Sequence, residues 1–316
     1  MTAVLPSLKA SGTNEQGRLD QGMANMILAK VYLNAEIYTG TAKNQEAMDA
    51  AMAVINGGYI LNSNYLNNFN ADNHTSSEMI FTLQSDGTAT QNYGPTTVLT
   101  NGQVGSLEGN GADFGVGGWG GALRLRKQFV QKFDGSEFTN DARNTIISGD
   151  RDIEIADITN RDSGYILAKF SNISSTGVVG ISSTFVDTDF PLFRLADAHL
   201  MYVEAQVRKD GSANATSVSF INALRERANG GSASANVSAS DITLDFILDE
   251  RSRELHWEAH RRQDLIRFGK FTGGSYNWAW KGNGSNGIAI SSHLKLFPLP
   301  EASLASNPNL TQNTGY

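Results

Sequence analysis

The chain contains no cysteine, which excludes disulfides, thiolate zinc sites and thiol nucleophiles and leaves the redox compartment unread. Its opening, MTAVLPSLKASGTNEQG, has no charged stretch followed by an apolar one, and no apolar run anywhere approaches the length of a membrane span. Basic residues are the minority. Against 32 Asp and Glu stand 25 Lys and Arg, giving a net charge of -7 and a pI near 5.3. No basic block lies outside residues 249–271, so nucleic acid is not an expected partner. What is present is a globular composition, 40% hydrophobic and 18% charged over 316 residues, enough for one large core or two ordinary ones.

Hydrophobic spacing organises the rest. Residues 19–38, LDQGMANMILAKVYLNAEIY, place apolar side chains at Met23, Ile27, Val31 and Ala35, with Leu28 and Tyr32 beside them, which is helical spacing. After a TGTAKN turn a second helix is predicted over 45–55, stopped by Gly57-Gly58. The design returns as a helix over 192–209, a DGSANAT turn, and a helix over 217–227 that ends at Gly230-Gly231. Ala29 and Ala205, in the middle of each first helix, leave room for the partner helix, as in tetratricopeptide-type hairpins. The expectation is therefore a mainly α fold: helical hairpins at about 19–56 and 192–228 carry a loop-rich, irregular ligand-binding region over 61–189, after a flexible segment at 1–16. Within that region EMIFTL reads as a strand and 123–133 as a helix. A charged helix through 245–268 and a second Gly/Asn-rich stretch, TGGSYNWAWKGNGSNG, follow.

Several patterns imitate chemistry. His256 and His260 stand four apart, but the zinc-protease pattern needs Glu directly after the first His, and Trp257 occupies that place. Packed or capping histidines fit better than a metal site. Glu250, Glu254 and Glu258 would share a helix face, and paired carboxylates are the hardware of glycoside hydrolysis. Arg251, Arg253, Arg261 and Arg262 lie within a turn of them, however, so ion pairing is the simpler use. GxGxxG occurs at 115–120, with a predicted helix after it but only glycine-rich loop where a phosphate cradle needs a strand before it, and at 282–287 with neither. The loop from Asn68 has Asn73 where a calcium loop needs Gly and Met79 where it needs Glu. Neither a metal nor a cofactor is expected.

Aromatic residues in polar, glycine-rich segments carry the functional signal. Tyr93, Trp119, Tyr276, Trp278 and Trp280 either cap the edge of the core or form stacking platforms for a ligand with flat apolar faces and many hydroxyls. Asn92, Asn277 and Asn283 flank them as hydrogen-bonding groups. Sugars fit that description.

Three stretches, FPLFRLADAHLMYVEA, ILDERSRELHWEAHRRQDLIRFGKF and LKLFPLPEASLASNPNLTQNTGY, occur in the order found in the SusD/RagB family of Bacteroidetes outer-membrane nutrient-binding lipoproteins. The chain resembles that family from Gly17 to Tyr316. The resemblance implies a non-catalytic, cell-surface protein that binds oligosaccharide or polysaccharide and delivers it to a SusC-type TonB-dependent transporter in the outer membrane. It makes Glu258, His260 and Arg261 a scaffold signature whose charges lock their helix against the returning C-terminal segment. Family members carry a lipidated cysteine near their start, so this sequence is expected to be the C-terminal portion of a longer protein whose lipid anchor lies outside it. Trp119 and Tyr93 are the expected stacking pair, with Asn92 and Asp86 making polar contacts and Tyr276, Trp278 and Trp280 as a reserve set. The alternatives are a glycoside hydrolase using carboxylates of the charged helix and a peptide-binding RagB-like protein.

Overall fold

The computed structural model describes residues 1–105, 107, 109 and 111–316. Asp20 opens the first helix: its backbone is extended, and its carboxylate accepts the N–H of Met23 at 3.0 Å and of Gly12 at 2.7 Å. That N-cap starts α1 (Gln21–Leu33) and ties the N-terminal segment to the body, as does Gln16, which donates to Asp189 at 3.0 Å. The helix expected to continue to Tyr38 breaks at Asn34, whose amide donates back to the Lys30 carbonyl and whose Oδ1 accepts from Arg267 at 3.1 Å. A short α2 (Ala35–Thr39) follows and ends at Gly40, in the left-handed C-cap conformation. Then α3 (Asn44–Ile55) returns against α1. Ala29 and Ala51 are fully buried where they pack.

β1 (Met79–Leu83) leads into the loop-rich region. Along it lie α4 (Pro95–Gln103), α5 (Lys127–Val130), and the short antiparallel strands β2 (Ile146–Ile147) and β3 (Ile166–Leu167). The expected helix over 123–133 is thus one turn of α-helix with a 3-10 turn after it. β4 (Phe190–Arg194) pairs antiparallel with β1 and closes the region. The expected helix start at Leu192 is therefore overturned, since residues 190–194 are strand and α6 (Leu195–Asp210) begins directly after them. α7 (Ala215–Ala228), capped by the Asn214 side chain on Ser217 N–H, completes the second hairpin.

The main core gathers α1, α3, α6 and α7: α3 lies against both α1 and α6, which brings Ala51, Val54, Ala198, Met201 and Ala205 into one cluster. Then come α8 (Leu244–Glu254), packed on α6, α9 (Arg261–Arg267) and α10 (Glu301–Ser306) near the C-terminus. Among the described residues the architecture is mainly helical, with two small sheets.

Candidate functional site

The charged segment is not one helix. α8 ends at Glu254, and the chain turns through 255–260 before α9, with Trp257 and Ala259 both in the left-handed region at φ 59° and 64°. Such backbone costs a non-glycine residue about 1–2 kcal/mol, and here buried partners hold it. The carbonyls freed at the end of α8 are capped by side chains from elsewhere. Glu254 O accepts from Tyr65 OH at 2.9 Å and from Arg194 at 2.7 Å, Arg253 O accepts from His256 Nδ1 at 2.8 Å, and His256 O accepts from Lys169 at 2.5 Å. Cations at a helix C-terminus also meet its dipole favourably. Trp257 packs between two satellite clusters, one around Tyr65, Phe69 and Phe170, the other around Leu125, Val130 and Leu167.

The turn aims Glu258 inward. Its two oxygens accept from Arg194 Nε at 2.6 Å, from Arg194 again at 2.8 Å, and from Lys169 at 2.7 Å. Arg194 also binds Glu78 and Glu254, and Arg227 bridges the same two acids. Arg143 joins Glu254 to Glu250 and Asp141, and Arg225 and Arg253 close on Glu250. Burial works to raise the Glu250 carboxyl, but Arg143, Arg253 and Arg225 overcome it and hold its pKa at about 2. Burial lowers Lys169 to about 8 even with Glu258 beside it. Glu250, Glu254 and Glu258 are 0%, 0% and 3% exposed. Carboxylates sealed and neutralised in this way cannot meet a polysaccharide, so this arrangement does not supply the acid pair that the hydrolase alternative placed on the helix.

A second buried network joins Arg251, Arg267 and Arg208 with Asp197, Glu204 and Asp264. Lys30 lies 3.5 Å from Asp197 and 3.2 Å from His260 Nδ1. Burial, helped by Lys30, lowers the His260 pKa to about 4, so the ring is neutral and accepts from the lysine. The histidines at 256 and 260 are therefore a carbonyl cap and a lysine acceptor, on a turn rather than one helix face. Arg261 and Arg262 do reach the C-terminal segment. Arg261 donates to Tyr276 OH at 2.9 Å, Arg262 donates to the carbonyls of Leu294 and Lys295, and Arg262 lies over the Phe297 ring at 4.2 Å. Glu258 does not, because its partners come from β4 and from Lys169.

The loop-rich face brings Tyr93 and Trp119 together. Their ring centroids are 6.1 Å apart at 51°, and Phe185 lies 5.3 Å from Tyr93. Tyr93 is 67% exposed and Trp119 is half-buried, so both rings keep open surface. Trp119 is positioned by its backbone N–H on Asn101 O at 2.9 Å, and Asn101 in turn is held by its amide on Thr97 O and Thr184 O. Asn92 and Asp86 sit on the same loop but are engaged locally. Asn92 donates to Thr90 O, while Asp86 accepts from Thr88 Oγ1 and N and from Ala89 N, hydrogen bonds that lower its pKa. Phe185 escaped the sequence reading, though it carries the same signal, a lone aromatic among Ser, Thr and Asp.

The reserve set divides. Tyr276 and Trp278 lie 6.2 Å apart, with Phe271 stacked on Trp278 at 6.0 Å, beside a cavity of about 300 Å³. Trp280 turns away and donates its indole N–H to Ile155 O at 2.7 Å, pinning two loops together. Asn277 donates to Gly274 O, and Asn283 takes a left-handed turn position.

Helical hairpins under a loop-rich face are the architecture of solved SusD-superfamily proteins. Over all of this chain and 68% of the other, a SusD homologue from Bacteroides thetaiotaomicron superposes with a TM-score of 0.76 at 18% identity. Surface glycan-binding protein A from the same organism, solved with laminarihexaose, superposes with a TM-score of 0.70 at 22% identity, over 97% of this chain and 66% of that one. In sequence, the starch-binding protein SusD of Bacteroides thetaiotaomicron is 32% identical across 95% of this chain and 61% of its own length. The SusD family profile matches residues 58–316. The chain belongs to the SusD family, and it spans about 61% of that curated relative.

Proposed function

We propose that this chain is part of a non-catalytic glycan-binding protein whose ligand lies against Tyr93, Trp119 and Phe185. The observation that carries the reading is the pair of rings on the loop-rich face, Tyr93 exposed and Trp119 half-buried, 6.1 Å apart, with the Trp119 backbone held by Asn101. Rings held in this way stack on the apolar faces of sugars at little conformational cost. The relatives support it: one is a starch-binding protein, and another was solved with a laminari-oligosaccharide. Burial and neutralisation of the carboxylates around α8 support binding without hydrolysis. From family membership we extend the reading to a cell-surface location on the outer membrane and to delivery of the glycan to a SusC-type transporter.

Truncation at Trp119 tests the site. Trp119→Ala should weaken oligosaccharide binding about tenfold or more, roughly 1.4 kcal/mol, with the melting temperature nearly unchanged. Affinity electrophoresis on starch and laminarin, with calorimetry on the oligosaccharides, reads the first effect, and circular dichroism reads the second. Normal binding by the variant removes Trp119 from the site. Release of reducing sugar by the wild type would return the hydrolase reading, and retention of peptides but of no glycan would favour the RagB-like one.

A further inference from the structure

Two cavities, of about 300 and 180 Å³, adjoin between the turn after α8 and the C-terminal aromatic loop, and they share Arg126 and Arg261 in a common wall. Tyr276 and Trp278 face the larger one together with Arg126, Lys132, Arg261 and Arg262, and among the described residues no acid lines it. In a chain of net charge -7 this is a local reversal of sign. Lys132 is neutralised by Asp249. Arg261 and Arg262 donate to carbonyl oxygens and a phenol, which leave their charges intact. Arg126 has no ion-pair partner among the described residues, and burial alone acts on its guanidinium, lowering its pKa.

The smaller cavity adds a second, independent feature. His256, 6% exposed, lines it. Its Nδ1–H is committed to the Arg253 carbonyl, so Nε2 is a bare acceptor, buried and without a partner among the described residues. A buried acceptor left in this way is destabilising until a donor arrives.

We propose that the joined cavities are a second ligand site, distinct from the Tyr93–Trp119 face, for an acidic sugar: its anionic substituent between Arg126 and Arg261, its ring against Tyr276 or Trp278, a ring hydroxyl donating to His256 Nε2. The guanidinium fork matches a carboxylate or sulfate in two parallel hydrogen bonds. A cation-lined recess with apolar walls concentrates anions, and the larger cavity has the volume at which ligand pockets begin. The hydroxyl requirement separates a sugar acid from an aromatic carboxylate. The site stands whether or not the loop face binds neutral glycan.

Calorimetry with trigalacturonate, galactose 6-sulfate and laminarihexaose tests it on the wild type, Arg126→Gln and Trp119→Ala. At least one charged probe should bind the wild type, weaken tenfold or more in Arg126→Gln and with added NaCl, and bind Trp119→Ala as before. Which probe binds distinguishes a carboxylate from a sulfate ligand. Laminarihexaose should not sense Arg126→Gln, so the loop-face reading stands or falls on its own. The proposal is overturned if neither charged probe binds, if Arg126→Gln binds them normally, or if Trp119→Ala abolishes their binding. Should Arg126→Gln unfold, the wild type's salt dependence and Trp278→Ala decide: charged-probe affinity indifferent to both overturns it.

Discussion

Glu258 carries two buried cations, Arg194 and Lys169, on one carboxylate. Removing it strands charge that has no route to water, and losses of this kind run to about 3–5 kcal/mol. Glu258→Ala should lower stability by that order in urea titration, and a loss below about 1 kcal/mol would mean that the surrounding acids redistribute to cover the gap. The neighbouring residue responds in the opposite direction. Ala259 is exposed at φ 64°, its methyl in the left-handed region. Ala259→Gly relieves that strain and gives back part of it as unfolded-chain entropy, so a net gain of about 0.5–1 kcal/mol is expected. A thermal melt that does not rise would show that the methyl is not strained.

Among the elements, the hairpins were legible because their faces repeat at helical spacing and their ends carry glycine; Ala29 and Ala205 are both fully buried in the main core. β4 was not legible, because the apolar run FPLFR flows into the helix after it without a breaker, and only its pairing with β1 makes it strand. The break after α8 was invisible for a related reason: Trp257 and Ala259 are poor left-handed residues, and the partners that hold them, Tyr65, Lys169 and Arg194, come from distant sequence. The same distance hid the inward path of Glu258, which helical geometry would have placed on one face with Glu250 and Glu254. Lone aromatics in polar loops single out Tyr93, Trp119 and Trp280 alike, but nothing local shows that the first two rings meet while the third pins Ile155. Where an element starts on a local signal, the effect of losing it is also local. Asp20→Ala removes an acceptor from both Met23 and Gly12 N–H and should cost about 1–2 kcal/mol, read by urea denaturation. Loss of amide protection at the start of α1 would place the effect there; full protection with no change in stability would mean that water caps the helix equally well.

For the whole molecule, the buried ionisable groups set a dependence on acid. His199 and His260 are held neutral chiefly by burial, with pKa values of about 4. Below the ordinary histidine pKa of about 6.5 the unfolded chain gains protons that the native state refuses, so stability is greatest above that pH and falls as the pH drops towards 4. Each ring contributes up to roughly 3 kcal/mol to that fall. Glu250, held at about 2, adds a further loss below the usual carboxylate range. Urea midpoints measured from pH 7.5 to 3.5 should decline most between 6.5 and 4, and a flat profile across that window would show that both rings reach solvent.

The antiparallel pairing of β1 with β4 means that the chain leaves the scaffold at residue 83 and returns to it at residue 190, alongside its point of departure. Topologically the intervening segment is a cartridge. Its length can change at small entropic expense, since closure grows only logarithmically with loop size, and the docking of α3 on α6 is made without it. What it cannot discard are Asp141, Arg143 and Lys169, which reach down from it into the sealed ion network. Descendants of this chain are thus free to diversify whatever their loops grasp, on condition that three buried side chains travel with every new version.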